Sequence, residues 1–144
     1  MKQLLHKSKF ASHHYCDETK TLFSDWFQET GSMKEEDFKN EMEIWIKVSK
    51  ECRPERIFDR CIDFTYPISP ENQTWMAQLL NPGWIDAGVK KYAHLVPEEF
   101  IANLSVYQMF DEFFEMKLDN QFEIEHFSDE IDAFKWLGEK EVIL

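Results

Sequence analysis

From Ser32 onward, helical and extended patterns alternate along the chain, and this alternation restricts the fold more than any single motif. Ser32 and Glu35 have capping-box spacing, and Phe38, Met42, Trp45, Val48 and Cys52 recur at helical intervals until Arg53-Pro54 stops the run. Ile57 to Phe64 then reads as a strand. Ser69-Pro70-Glu71 starts a second helix, with a capping hydroxyl, a proline where no amide hydrogen is needed, and an acid at the positive end of the dipole. Trp75, Met76, Leu79 and Leu80 form its buried stripe. Asn81-Pro82-Gly83 is expected to break or kink this helix, and Gly88 to end what remains of it. Tyr92 to Val96 is a short apolar strand of the type found inside a sheet. Pro97-Glu98-Glu99 opens a third helix in which Val106, Met109, Phe110, Phe113 and Met116 recur. Gln121 to Phe127 alternates as an edge strand, and Ser128 caps a last helix with Ile131, Phe134 and Leu137 turned inward and Gly138 at its end.

Helices and strands in this order give neighbouring parallel strands joined by right-handed crossovers. Ahead of them, Phe10 to Cys16 and Thr21 to Gln28 flank the turn Asp17-Glu18-Thr19-Lys20 as a hairpin, with residues 2 to 6 as an extra strand. The expectation is an α/β single domain. Its mixed, mostly parallel sheet of about five or six strands opens with an antiparallel hairpin, and about four helices pack on it.

At 144 residues the chain is long enough for one domain over 1–144, and 13 Phe and 5 Trp supply its core. Lys and Arg total 16 against 28 Asp and Glu, a formal charge of -12 that repels phosphate backbones and anionic headgroups. Nucleic acid and membrane insertion are therefore disfavoured. Cys16, Cys52 and Cys61 are odd in number and contain no CxxC pair, so neither a disulfide framework nor a zinc knuckle is expected. The opening residues hold no apolar signal stretch, and a cytoplasmic location is expected.

No phosphate-binding glycine loop, nucleophile elbow, HExxH or EF-hand pattern occurs, and no cofactor is expected. His13, His14 and Cys16 attract notice as metal ligands, but on a strand only His14 and Cys16 share a face, and a site needs three or four converging ligands. His94, in an apolar strand, is either a proton shuttle or a hydrogen-bonded core histidine. Asp59 and Asp63, with Glu71 nearby, form an acidic cluster suited to acid–base work or to ion pairs with Arg56 and Arg60, and the ion pairs are favoured. The acids Glu35-Glu36-Asp37 and Glu98-Glu99 fit the first turns of helices. Trp75, Trp84, Phe110 and Phe113, with the apolar surplus from Val106 to Met116, fit a ligand pocket, a dimer interface or a helix buried on two sides.

Four stretches in this order carry a resemblance: Arg56-Ile57-Phe58-Asp59, Ile68-Ser69-Pro70-Glu71 followed by Gln73 and Trp75, Ala87-Gly88-Val89-Lys90-Lys91, and Phe127-Ser128-Asp129-Glu130 leading to Ala133, Trp136 and Leu137. The chain resembles the STAS-like superfamily, the fold of anti-sigma factor antagonists, and within it the small stand-alone bacterial members of unknown function. Regulatory members carry an Asp-Ser-Ser-Gly type turn whose serine accepts phosphate from a partner kinase. Here that stretch reads Asp63-Phe64-Thr65-Tyr66-Pro67-Ile68-Ser69, which leaves Ser69 as the phospho-acceptor the resemblance implies. A non-enzymatic regulatory domain that binds another protein, or itself as a homodimer, through a helix face is expected. The alternative is a binder of a small apolar ligand or lipid in an aromatic-lined pocket.

Overall fold

The first three strands form a meander. β1 (Lys2–Lys7), β2 (Ala11–Cys16) and β3 (Thr21–Trp26) pair antiparallel in turn, so the opening segment does add a strand to the hairpin. After a 3-10 turn (Gln28–Ser32) come α1 (Glu35–Cys52), β4 (Arg56–Arg60), α2 (Pro70–Ala87), β5 (Lys91–Leu95), α3 (Phe100–Glu115), β6 (Glu123–Phe127) and α4 (Glu130–Leu137). The computed structural model describes residues 2–115 and 122–138. β3, β4, β5 and β6 pair parallel, and the order across the six-stranded sheet equals the order along the chain. This is the mixed α/β architecture with four helices that the alternation implies.

Because the parallel strands advance in one direction, right-handed crossovers set α1, α2 and α3 on one face. There α2 packs against both neighbours, while α4 lies against β5 and β6 on the other face. Among the described residues the strand order never reverses, so their sheet has no switch-point crevice of the kind that binds ligands in doubly wound folds. Side chains alternate between two cores. Ile57 and Tyr92 face α1–α3 with Phe38, Trp45, Leu80 and Trp84, and Phe58 and Ala93 face α4 with Phe23, Phe134 and Leu137. Each large side chain so buried contributes roughly 2–3 kcal/mol of transfer free energy.

Several boundaries depart from the sequence reading. Ser32 does not cap α1, because its hydroxyl donates to the Glu29 carbonyl inside the 3-10 turn; the Asp37 carboxylate instead accepts the Lys34 amide at 2.9 Å. Ser128 yields to Asp129, whose carboxylate accepts the Ile131 amide, and Ile131 turns out to solvent while Ala133, Phe134 and Leu137 point in. β4 ends at Arg60, and Cys61 to Phe64 form a turn closed by the Phe64 amide on the Cys61 carbonyl. α2 continues through Pro82. The hydrogen bond it forfeits would reach Gln78, and both residues are exposed, so the gap in the helix ladder lies on its solvent side. Gly83 beside it permits close approach of α1, since a Cβ there would meet Ile46 Cδ1 at 2.9 Å. Gly88 and Gly138 close their helices at φ 94 and 86, as the sequence indicates.

Candidate functional site

Strand register assembles a feature that no single segment displays. His6, His13, Ser24, Asp59, His94 and His126 are successive cross-strand neighbours, one from each strand, and form a polar row across the whole sheet on the face covered by α1–α3. An irregularity between Leu4 and His6 brings the first imidazole into line. The four central side chains are buried, and His6 and His126 at the ends are half-buried. Glu41 of α1 lies beside the first end, its carboxylate 3.9 Å from His6 Nε2 and accepting from the Ser8 hydroxyl at 3.1 Å.

Asp59 sits at the middle of the row. Its Oδ1 accepts the Trp26 indole N–H at 2.8 Å and the Cys61 thiol at 3.1 Å, and its Oδ2 accepts the Tyr92 hydroxyl. Burial raises its pKa to about 6 against the pull of these three donors. Burial, reinforced by the neighbouring carboxylate, pushes the Cys61 thiol and the Tyr92 phenol well above their ordinary values. Next along the row, His94 Nδ1 meets His126 Nδ1 at 2.8 Å, so one ring donates and the other accepts. Burial lowers both imidazole pKa values, and the two rings disfavour charge on His94 further. Among the described residues, His94 Nε2 is buried without a hydrogen-bond partner. One donor atom each of Asp59, Cys61 and His94 lies within 4.8 Å of the others.

On the far side of Asp59, His13 Nδ1 shares a hydrogen bond with the Ser24 hydroxyl at 2.9 Å, while its ring stacks between His6 and Trp45. No hydrogen bond joins Ser24 to Asp59 or Asp59 to His94 among the described residues, so the row is two bonded pairs flanking a carboxylate rather than a continuous proton wire.

The residues singled out in the sequence separate accordingly. Asp63 is exposed in the turn after β4 and does not join Asp59; Glu71 is exposed in the first turn of α2. The expected ion pairs do not form at Asp59. Arg60 lies on the opposite face, bonded to Asp25 at 3.3 Å and to Glu130, and Arg56 donates to the Thr19 carbonyl, because strand alternation turns both arginines away from Asp59. His14 and Cys16 face away from His13, as alternation requires. The Ser69 hydroxyl accepts the Asn72 amide at 3.3 Å as the cap of α2.

Of the aromatic candidates, Trp84 and Phe110 fill the core. Trp84 is enclosed by Trp45 and Tyr92 and donates to the Ser49 hydroxyl at 3.2 Å, and Phe110 packs on Tyr92, His94 and His126. Trp75 is half-buried, near Phe38, with the Lys39 ammonium over its ring. The Phe113 side chain and Met116 lie outside the described residues. The cavity against Asp59 and Cys61, which also touches Trp26, Trp45 and Met109, measures ≈ 20 Å³. That is room for one water, where small-molecule pockets measure about 300 Å³ or more.

At the surface, the outer side of α3 exposes Phe100, Ile101, Leu104 and Tyr107 on adjacent turns, from 73% for Phe100 to 39% for Tyr107. No Lys or Arg occurs between Lys91 and Lys117, and Glu98, Glu99 and Asp111 beside the stripe are exposed. Among the described residues no helix is long and apolar enough to cross a membrane. No family model, curated protein or solved structure matches the chain.

Proposed function

We propose that the protein is a non-enzymatic interaction domain of the STAS-like type, docking through the outer stripe of α3 onto another protein that presents apolar side chains within a basic segment. The supporting observation is the exposed run Phe100, Ile101, Leu104 and Tyr107. Contiguous apolar surface of this kind is covered in a working assembly. Charge selects the occupant. Two copies meeting through α3 would set Glu98, Glu99 and Asp111 against their own images on chains of formal charge -12, whereas Lys and Arg on a different chain are attracted there. The titratable groups at the centre of the polar row are buried beneath the helices, which suits an internal role better than turnover of a substrate.

The test places a photo-crosslinking side chain at position 104, and separately at the exposed position 36 of α1, in the cells that make the protein. The expected outcome is an adduct from position 104 alone, joined to a different protein at a segment where Lys or Arg flanks apolar residues. Adducts only with a second copy of the chain, or equal yields from both positions, would overturn the reading.

A further inference from the structure

We propose that Asp59, Cys61 and His94 form a site for one divalent cation of the zinc class, with His126 orienting the histidine ligand. The donor set is one carboxylate oxygen, one sulfur and one imidazole nitrogen, a mixture that suits a borderline-soft ion. Asp59 and His94 are register partners on adjacent parallel strands, and Cys61 follows β4 directly, its amide held by the Leu95 carbonyl at 2.9 Å. Ligand atoms around a tetrahedral zinc are roughly 3.3–3.8 Å apart, given bonds of about 2.0–2.3 Å. The present separations, within 4.8 Å, exceed this spacing by roughly 1–1.5 Å at most.

Two further observations point to an ion. His94 Nε2 is fully buried with no hydrogen-bond partner among the described residues, an arrangement native interiors avoid. If Nδ1–H of His94 donates to His126, Nε2 presents a lone pair, which is the tautomer a metal ligand requires and the usual way a neighbouring acceptor fixes it. Asp59 is a buried carboxylate with no Lys or Arg paired to it among the described residues, although buried charges are normally paired or bound to metal. A divalent ion balanced by the Asp59 carboxylate and the Cys61 thiolate leaves the interior neutral.

Binding follows a balanced exchange. The Cys61 S–H bond breaks, its proton leaves to solvent, and a sulfur–metal bond forms, which frees Asp59 Oδ1 from the thiol it now accepts. Trp26 and Tyr92 continue to hold the carboxylate. The ≈ 20 Å³ cavity against Asp59 and Cys61 has room for a water as fourth ligand. Because the three ligands are buried, the ion enters as the chain folds.

The full chain is unfolded in denaturant with chelator, then refolded with and without zinc. One zinc retained per chain, a higher melting temperature, and one sulfur with two or three nitrogen or oxygen neighbours by zinc X-ray absorption are expected. Refolding with cobalt(II) should give a thiolate-to-cobalt absorption band, lost in Cys61→Ser and kept in Cys52→Ser. His126→Phe should weaken affinity by about 10–100-fold. Absence of retained zinc, or a zinc shell without sulfur in the unmodified chain, would overturn the site without recourse to variants that fold poorly. A cobalt band that survives Cys61→Ser would do the same.

Discussion

Burial keeps the imidazole of His13 neutral: desolvation lowers its pKa to about 3, with repulsion from His6 and His14 adding to the effect. Its other neighbours, Ser24, Trp26 and Trp45, bring no charge that would hold a proton there. In the unfolded chain the group titrates near 6.5. The folded value is the depressed one, so this contribution to stability is complete above about pH 6.5 and is lost as pH falls towards 3. By pH 5 the unfolded state has taken up a proton that the folded state refuses, which costs about 2 kcal/mol. The urea midpoint of the protein is therefore expected to fall between pH 7 and pH 5, and His13→Phe to remove about 2 kcal/mol of that fall. An equally steep pH dependence in the variant would assign the effect elsewhere. The sequence shows less at this scale than at any other. Ser32 and Ser128 have the chemistry of caps, yet Asp37 and Asp129 do the capping, because which of two nearby acceptors reaches the free amides depends on turns the sequence does not display.

Among the elements, α2 departs most from its sequence reading. Asn81-Pro82-Gly83 signals a break, but the helix runs to Ala87 because Pro82 faces solvent and Gly83 lets α1 approach. Pro82→Ala restores an amide that can bond the Gln78 carbonyl, and the denaturation midpoint should rise by the equivalent of about 1–3 kcal/mol. A lower midpoint would mean that the proline ring, not only its geometry, supports the packing. β4 shows a different source of error. Ile62 and Phe64 prolong the apolar pattern past Arg60, but the chain turns at Cys61, which places the thiol under Asp59 and sends Asp63 outward. The aromatic excess of α3 was evident in the sequence; which side of it stays uncovered was not. Ala102, Val106, Met109 and Phe110 face the core, and this leaves Phe100, Ile101, Leu104 and Tyr107 outside.

For the molecule as a whole, the alternation of helices with strands sufficed to indicate an ordered, mostly parallel sheet, because crossover handedness leaves few other arrangements. The polar row was not legible. Its members run from His6 to His126, one in each strand, and nothing local states which residue of one strand lies beside which of the next. His94 and Asp59 drew attention separately, and register made them neighbours. The molecule thus keeps its unusual chemistry inside and shows an apolar, acid-flanked helix outside. The proposed docking of a basic, apolar segment on α3 is checked by amide chemical-shift mapping during titration with a synthetic amphipathic helix that carries leucines on one side and lysines on the other. Saturable shifts confined to residues 97–112, weakened by added salt and absent when glutamate replaces each lysine, are the predicted result. Shifts centred elsewhere, such as the depression lined by Gln3, Leu5, Tyr15 and Cys52, or equal binding of the acidic peptide, would contradict it.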